Sequence, residues 1–198
     1  MEEQEIKRSW YALKVFYNKV FEIEKILQRE HLEVYFPTRR ELVKGSGLRC
    51  SGDTSRLDST RYVKDADKKV WRRIPVVNSL LFVRADEEEI NKVRALVYGY
   101  ALVYYNAERS GPAVIPDREM TIFRMVADSG IEGLEFYSRE DIVNFRQGAR
   151  VRVTAGTLKG AEGYIKRIKR DRRLLVAIEG FVAVATSYLP PEMLEIIG

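Results

Sequence analysis

The sequence predicts two parts of different class. The first, over residues 9–126, is an α+β domain, an antiparallel sheet flanked by helices. The second, over 144–198, is a small all-β barrel, tied to the first by a linker at 127–143. Three observations predict this. In the first part, apolar residues switch between strand and helix spacing, so strands alternate with amphipathic helices. Beyond residue 148 only short strand-like runs remain, spaced by about ten residues with turn signals between them. Basic residues also gather there: residues 146–173 hold ten Lys and Arg against two acids, a net +8 in a chain whose total is +5. The rest of the chain is therefore mildly acidic, and the local patch favours a polyanion over a uniformly solvated surface.

The elements follow in order. Trp10 to Val15, "WYALKV", is aromatic and β-branched as a strand requires, and Asn18 is placed to cap the helix after it. Val20, Ile23, Ile26 and Leu27 recur at helical spacing among charged residues, and "LEVYFP" (Leu32 to Pro37) reads as a second strand. Between Lys44 and Lys69 lies a polar insertion rich in Gly, Ser, Thr and Asp, of a kind that is usually mobile or functional inside a compact domain. The apolar run after it, Val76 to Val83, is read as one or two buried strands interrupted at Asn78-Ser79, so two strands flank the insertion as a hairpin. Asp86 then caps a helix whose first turn holds Glu87, Glu88 and Glu89 and which Gly99 stops. "YALVYYN" (Tyr100 to Asn106) is another strand, and Pro116 to Val126 puts Met120, Phe123 and Val126 on one helical face. Four further runs, "ARVRVTA", "GYIKRI", "RLLVAI" and "FVAVATSYL", predict the closed barrel, since an isolated sheet of that size would expose its edges.

Composition narrows the chemistry. Cys50 and His31 are the only residues of their types, which excludes an internal disulfide, Cys-based zinc and His-pair metal motifs. His31, just after a helical pattern, is expected at the surface. No metal or cofactor is expected, and with no paired carboxylate constellation at catalytic spacing neither is an enzyme. The polar opening "MEEQEIKRSW" and the lack of any run of about 18 apolar residues predict a cytoplasmic chain with no membrane association.

The glycine-rich stretch "GARVRVTAGTLKGAEGYIKRI", residues 148–168, poses a choice between a phosphate cradle, a nucleic-acid platform and a turned β-module. A Walker loop is excluded, because Lys159-Gly160 runs into Ala161-Glu162 and another strand. Turn geometry is favoured for Gly156, Gly160 and Gly163, with a ligand loop still open on spacing alone. Val151 and Val153 should point inward while Arg150 and Arg152 face out.

"FRQGARVRVTAGTLKGAEGYIKRI", Phe145 to Ile168, resembles a KOW motif in the spacing of its glycines and apolar strands. Such motifs occur in ribosomal proteins and transcription elongation factors. "SWYALKVFYNKVFEIEKILQREHLEVYFP" resembles the opening of the NusG N-terminal (NGN) domain, and "RRIPVVNSLLFVRAD" its hairpin return. Together these cover nearly the whole chain. The polar insertion and the ending "FVAVATSYLPPEMLEII" look more like specialised NusG paralogues of the UpxY type, which antiterminate capsular polysaccharide operons.

The resemblance implies an NGN domain followed by an SH3-like KOW barrel in a monomeric factor that acts by binding. It implies docking on the β′ clamp helices of RNA polymerase through Lys14, Val77, Leu80 and Phe82, with suppression of pausing and termination. Here the chain departs from the family: the usual aromatic stretch reads Val77-Asn78-Ser79-Leu80. Asn91 and Arg94 fall where specialised paralogues meet the β subunit. Lys25 and Arg29 fall where they touch nucleic acid of the elongation complex, non-template DNA or leader RNA. Arg150, Arg152, Lys166, Arg167, Lys169 and Arg170 are the implied surface for RNA or for a ribosomal or regulatory protein. The rival is a KOW-type RNA-binding protein of the translation apparatus, against which the Trp10-Tyr11 domain argues.

Overall fold

A computed structural model describes residues 7–44, 69–138, 148–168 and 171–197. Most of the polar insertion, the end of the expected linker, and the candidates Lys169 and Arg170 lie outside these residues.

The chain begins with β1 (Ser9–Val15), α1 (Val20–Arg29), β2 (Glu33–Tyr35), β3 (Thr38–Lys44) and β4 (Lys69–Pro75). Then come β5 (Leu80–Ala85), α2 (Glu87–Leu96), β6 (Ala101–Val103), β7 (Val114–Ile115) and α3 (Asp117–Ala127). A first sheet runs in the order β2-β5-β1-β6, with β7 also beside β1, all antiparallel. Strand alternation divides β1 and β5 between two faces. Tyr11, Leu13, Leu81 and Val83 are buried with Ile23 and Leu27 of α1 and Ile90 and Val93 of α2. Trp10, Ala12, Leu80 and Phe82 face the other way, into a second core with Met120, Phe123 and Val126 of α3. Burial on both faces is why β5 reads as an unbroken apolar run.

Two helix starts differ from each other. Asp86 accepts from the Glu89 amide at 2.8 Å while the Glu89 carboxylate accepts from the Asp86 amide at 2.9 Å, the reciprocal capping box that satisfies two otherwise orphaned donors. Asn18 does not cap α1. Tyr17 and Asn18 both take left-handed backbone, at φ 56° and 55°, to turn the chain out of β1, and Lys19 becomes the residue before the helix, without a side-chain cap. Asn tolerates that conformation better than most residues, so the turn claims the side chain expected at the cap.

The hairpin around the insertion is built from β3 and β4, paired from Thr38↔Pro75 to Lys44↔Lys69. They form a two-stranded sheet in a compact unit of their own, residues Thr38–Pro75. The sequence reading ends its strand at Pro37 and passes over β3, because "TRRELVK" carries charges where a core-facing strand would alternate apolar residues.

The C-terminal half contributes β8 (Glu135–Ser138), β9 (Arg150–Val153), β10 (Glu162–Ile168), β11 (Asp171–Ile178), β12 (Val182–Tyr188), a 3-10 turn at Pro191–Met193 and β13 (Leu194–Ile196). Their order, β13-β9-β10-β11-β12-β8, leaves β13 and β8 at opposite edges. The closed barrel expected from sequence is thus an open six-stranded sheet among the described residues. One edge strand, β8, lies within the span expected to be linker. The edges are short, three and four residues, which limits the backbone they leave unpaired.

The helix α3 joins the two halves. Its buried residues share one apolar cluster with Trp10 and Phe82 of the first sheet and with Val151, Leu174, Val176 and Val184 of the second. Phe123 meets Phe136 of β8 with ring centroids 6.4 Å apart, and Tyr104 meets Phe181 at 5.2 Å, both edge to face.

Candidate functional site

The residues expected at a docking face start from one register. Lys14 lies directly across from Leu80, and Ala12 from Phe82. Cross-strand partners project to the same side, so Lys14, Leu80 and Phe82 do share a face. They do not share an environment. Lys14 is exposed and Val77 half-buried, while Leu80 is 3% and Phe82 0% exposed. Phe82 stacks on Tyr35 at 6.4 Å and meets the edge of Phe123 at 6.3 Å, so α3 covers it.

Polar contacts at the rim hold that cover. Arg124 of α3 donates to Glu33 of β2 at 2.8 Å, and its guanidinium lies 4.8 Å from the Tyr35 ring centroid. Arg84 of β5 pairs with Asp117 at 3.6 Å. The Tyr35 hydroxyl donates to Asp128 at 3.1 Å. Burial first, then the Asp128 carboxylate, pushes that phenol far above its ordinary pKa, so it remains a donor.

Next to Lys14 on β6 is Leu102, its cross-strand partner, 55% exposed. Leu102 opens onto a shallow cleft of about 360 Å³ that Asn91 and Arg94 line from α2, together with Tyr98 and Tyr105. Asn91 donates to the Glu87 carbonyl at 2.9 Å, and Arg94 stands 5.4 Å over the Tyr105 ring. The cleft thus combines a fixed amide, a cation and exposed aromatic surface. The sequence places Leu102 and Tyr105 in a strand and Tyr98 at the end of the preceding helix, with no functional signal at any of them. Only their exposure singles them out.

Lys25 and Arg29 lie one turn apart on α1, both exposed, on the side opposite the buried Ile23 and Leu27. The basic residues of the C-terminal sheet are not gathered into one surface. Val151 and Val153 are buried and Arg150 and Arg152 exposed, as the alternation predicts. Both arginines converge on Glu162 of β10, at 3.3 and 2.9 Å, where Arg118 of α3 joins them at 2.6 Å. The Arg152 hydrogen bond, with Arg118 beside it, holds the Glu162 carboxyl below the usual range against an opposing desolvation effect. Lys166 and Arg167, adjacent on β10, project to opposite faces of the sheet.

The glycine question is answered by the same strands. Gly156 and Gly160 take positive φ, +79° and +90°, around Leu158, which is 2% exposed and plugs the core. Three amides of the turn are committed to backbone carbonyls: Lys159 donates to Gly156, Gly160 to Val153 and Ala161 to Leu158. Gly163 serves close approach instead, because a Cβ there would overlap the Leu175 carbonyl on β11. Among the described residues, no group of three or more His, Cys, Asp and Glu is placed to hold a metal, and no helix is long and apolar enough to cross a membrane.

Residues 8–124 match the family model described as "NusG: Transcription termination factor nusG". A solved structure described as "Domain interaction in Thermotoga maritima NusG" is similar at 18% identity and a TM-score of 0.46, covering 97% of this chain and 98% of that one. No curated protein sequence matches the chain.

Proposed function

The chain belongs to the NusG family, and on that premise we propose that it is a transcription elongation and antitermination factor that binds RNA polymerase. The observation that carries this reading is the family match over residues 8–124, which spans β1 to α3 and thus every element of the first sheet. Members of this family are transcription factors rather than enzymes, and the proposed mechanism is binding alone.

In this reading Lys14 and Leu102 form the accessible end of the polymerase-docking face, and Leu80, Phe82 and half-buried Val77 its continuation beneath α3. The partner is the β′ clamp helices, with Asn91 and Arg94 turned to the β subunit. Fully exposing two large apolar side chains costs about 3 to 6 kcal/mol. Docking through Leu80 and Phe82 is therefore an exchange of covers: polymerase must bury the same area that α3 buries. Lys25 and Arg29 would contact phosphates of the non-template strand or leader RNA, giving an affinity that falls with salt. Arg150, Arg152, Lys166 and Arg167 would offer the C-terminal sheet, as a KOW module, to a ribosomal or regulatory protein. The proposed division is an NGN domain at 9–126 and a KOW domain at 144–198, with β8 of the span between them added to the C-terminal sheet. The further assignment to UpxY-type antitermination at capsular polysaccharide operons rests on the polar insertion and the C-terminal sequence.

The test is association with core RNA polymerase, followed by a reconstituted elongation assay on templates with and without a capsule operon leader. Lys14→Glu with Leu102→Glu, both at exposed positions, should abolish association while leaving the circular dichroism spectrum intact. Unchanged association would sink the docking reading, and equal readthrough on both templates would assign a general factor instead.

A further inference from the structure

We propose that the outer edge of β6 binds an extended, acidic segment of a partner protein as an added antiparallel strand, with Arg94 pairing to its carboxylate. The proposal deepens the reading of Asn91 and Arg94 as the face turned to the β subunit. It rests on that reading only for which protein supplies the strand.

β6 is the last strand on its side of the first sheet. Its ladder with β1 fixes where the backbone groups point. Tyr104 donates to the Ala12 carbonyl at 2.9 Å, and Phe16 donates to the Tyr100 carbonyl at 2.8 Å, each pair directly opposed in the register. Bonded and non-bonded pairs alternate, so Tyr100, Leu102 and Tyr104 face β1 while Ala101, Val103 and Tyr105 turn their backbone outward. The Ala101 amide is taken by the Val97 carbonyl. The Ala101 carbonyl and both backbone groups of Val103 and Tyr105 have no hydrogen-bond partner among the described residues. All three residues line the cleft beside α2. Val103 is only 6% exposed, and unpaired backbone groups on so buried a residue cost free energy that a partner recovers.

The opposite edge of the sheet is protected. There β2 carries Glu33, which Arg124 and Arg84 hold at 2.8 and 3.8 Å, and charge on an edge strand discourages pairing. β6 reads Ala-Leu-Val, and the side chains beside it, Leu102 at 55% and Tyr98 at 81% exposed, are apolar or aromatic.

The chemistry selects the occupant. Donors and acceptors repeating at every second residue are matched by an extended backbone, whereas a helix satisfies its own groups and nucleic acid has no such repeat. Arg94 stands over the Tyr105 ring, touches the neutral Asn91 amide at 3.5 Å and forms no ion pair among the described residues. Val103 packs in the core beneath α2, so the side chain opposite it in an added strand lies on the Arg94 side of the sheet. An acid belongs at that position, and apolar residues belong next to it, against Leu102 and Tyr98.

The test uses the full purified chain without polymerase and a seven-residue peptide, acetylated and amidated, with Glu at its centre, Val on both sides, and Thr and Lys beyond. Titration to about 1 mM should show binding by chemical-shift change. The Val103 amide should exchange rapidly with solvent deuterium in the free chain and slowly in the complex. N-methylation of the peptide Glu, whose amide faces β6, should abolish binding; N-methylation of the following Val, whose amide faces away, should leave it. Arg94→Ala should weaken binding about 2- to 5-fold. Arg94→Glu should prefer a peptide with Lys in place of Glu. Absence of binding, equal effects of the two N-methyl groups, or a Val103 amide already protected by self-association of the free chain would overturn the proposal. Polymerase association is measured separately, so its loss with peptide binding retained would count against the docking reading alone.

Discussion

The ring of Phe123 meets the ring of Phe82 edge to face, centroids 6.3 Å apart, and both side chains are fully buried. One comes from α3 and the other from the central sheet, so this contact seats the helix on the face that polymerase is proposed to occupy. Phe123→Ala removes the ring from the centre of the larger core and should cost about 3 to 5 kcal/mol of stability, read from urea unfolding. A loss below about 1 kcal/mol would mean the helix is not packed there in solution.

The Arg124–Glu33 pair at the rim should contribute far less, because its side chains are 40% and 46% exposed. A double-mutant cycle with Ala at both positions should give a coupling of about 0.2 to 1 kcal/mol, reduced by added salt. If docking exchanges covers, Arg124→Ala should also raise affinity for polymerase, since it weakens the resident cover more than the incoming one.

Glu162 supplies a pH dependence whose sign follows from its surroundings. Its folded carboxyl is held below the ordinary value, chiefly by Arg152. The stability it contributes is therefore present above the unfolded carboxylate pKa and lost as pH falls through the lower folded value. Glu162→Gln should flatten the acid side of the stability profile measured by thermal unfolding. A variant with the wild-type slope there would exclude Glu162 as its source.

Removing the Asp86 side chain, as in Asp86→Ala, should destabilise the protein by about 1 kcal/mol, with Asp86→Asn close to wild type, because Asn caps nearly as well. Chemical denaturation of the two variants side by side reads the difference.

Two glycines in the same turn region should respond for different reasons. At Gly163 an added Cβ meets the Leu175 carbonyl, so Gly163→Ala must push two paired strands apart, at about 1 to 3 kcal/mol. At Gly160 there is open space, and Gly160→Ala meets only the backbone strain of a positive φ. Thermal melts should rank the first as more damaging, and the reverse order would contradict the strand spacing described.

Local rules carried the helices well. The face of Met120, Phe123 and Val126 and the cap at Asp86 depend on residues three or four apart, so their chemistry is written in adjacent sequence. Local rules failed at Asn18, where a left-handed turn and a helix cap compete for one residue and only the exit path of β1 decides. They also failed at β3, whose ribbon has no core face to impose alternation. Strand alternation and register put Lys14, Leu80 and Phe82 on one face, but nothing in their sequence shows that Phe82 lies beneath Phe123.

What the amino-acid order determined was the kind of element at most positions and which side of each is apolar, because side-chain period and turn chemistry act over a few residues. Partner choice between distant elements was settled only by the folded chain. That Glu162 collects Arg118, Arg150 and Arg152, that α3 belongs to the cores of both sheets, and that the C-terminal strands stop short of closing all follow from long-range burial and pairing. An apolar strand with two faces must be covered twice, and its sequence is the same whichever neighbour supplies the second cover.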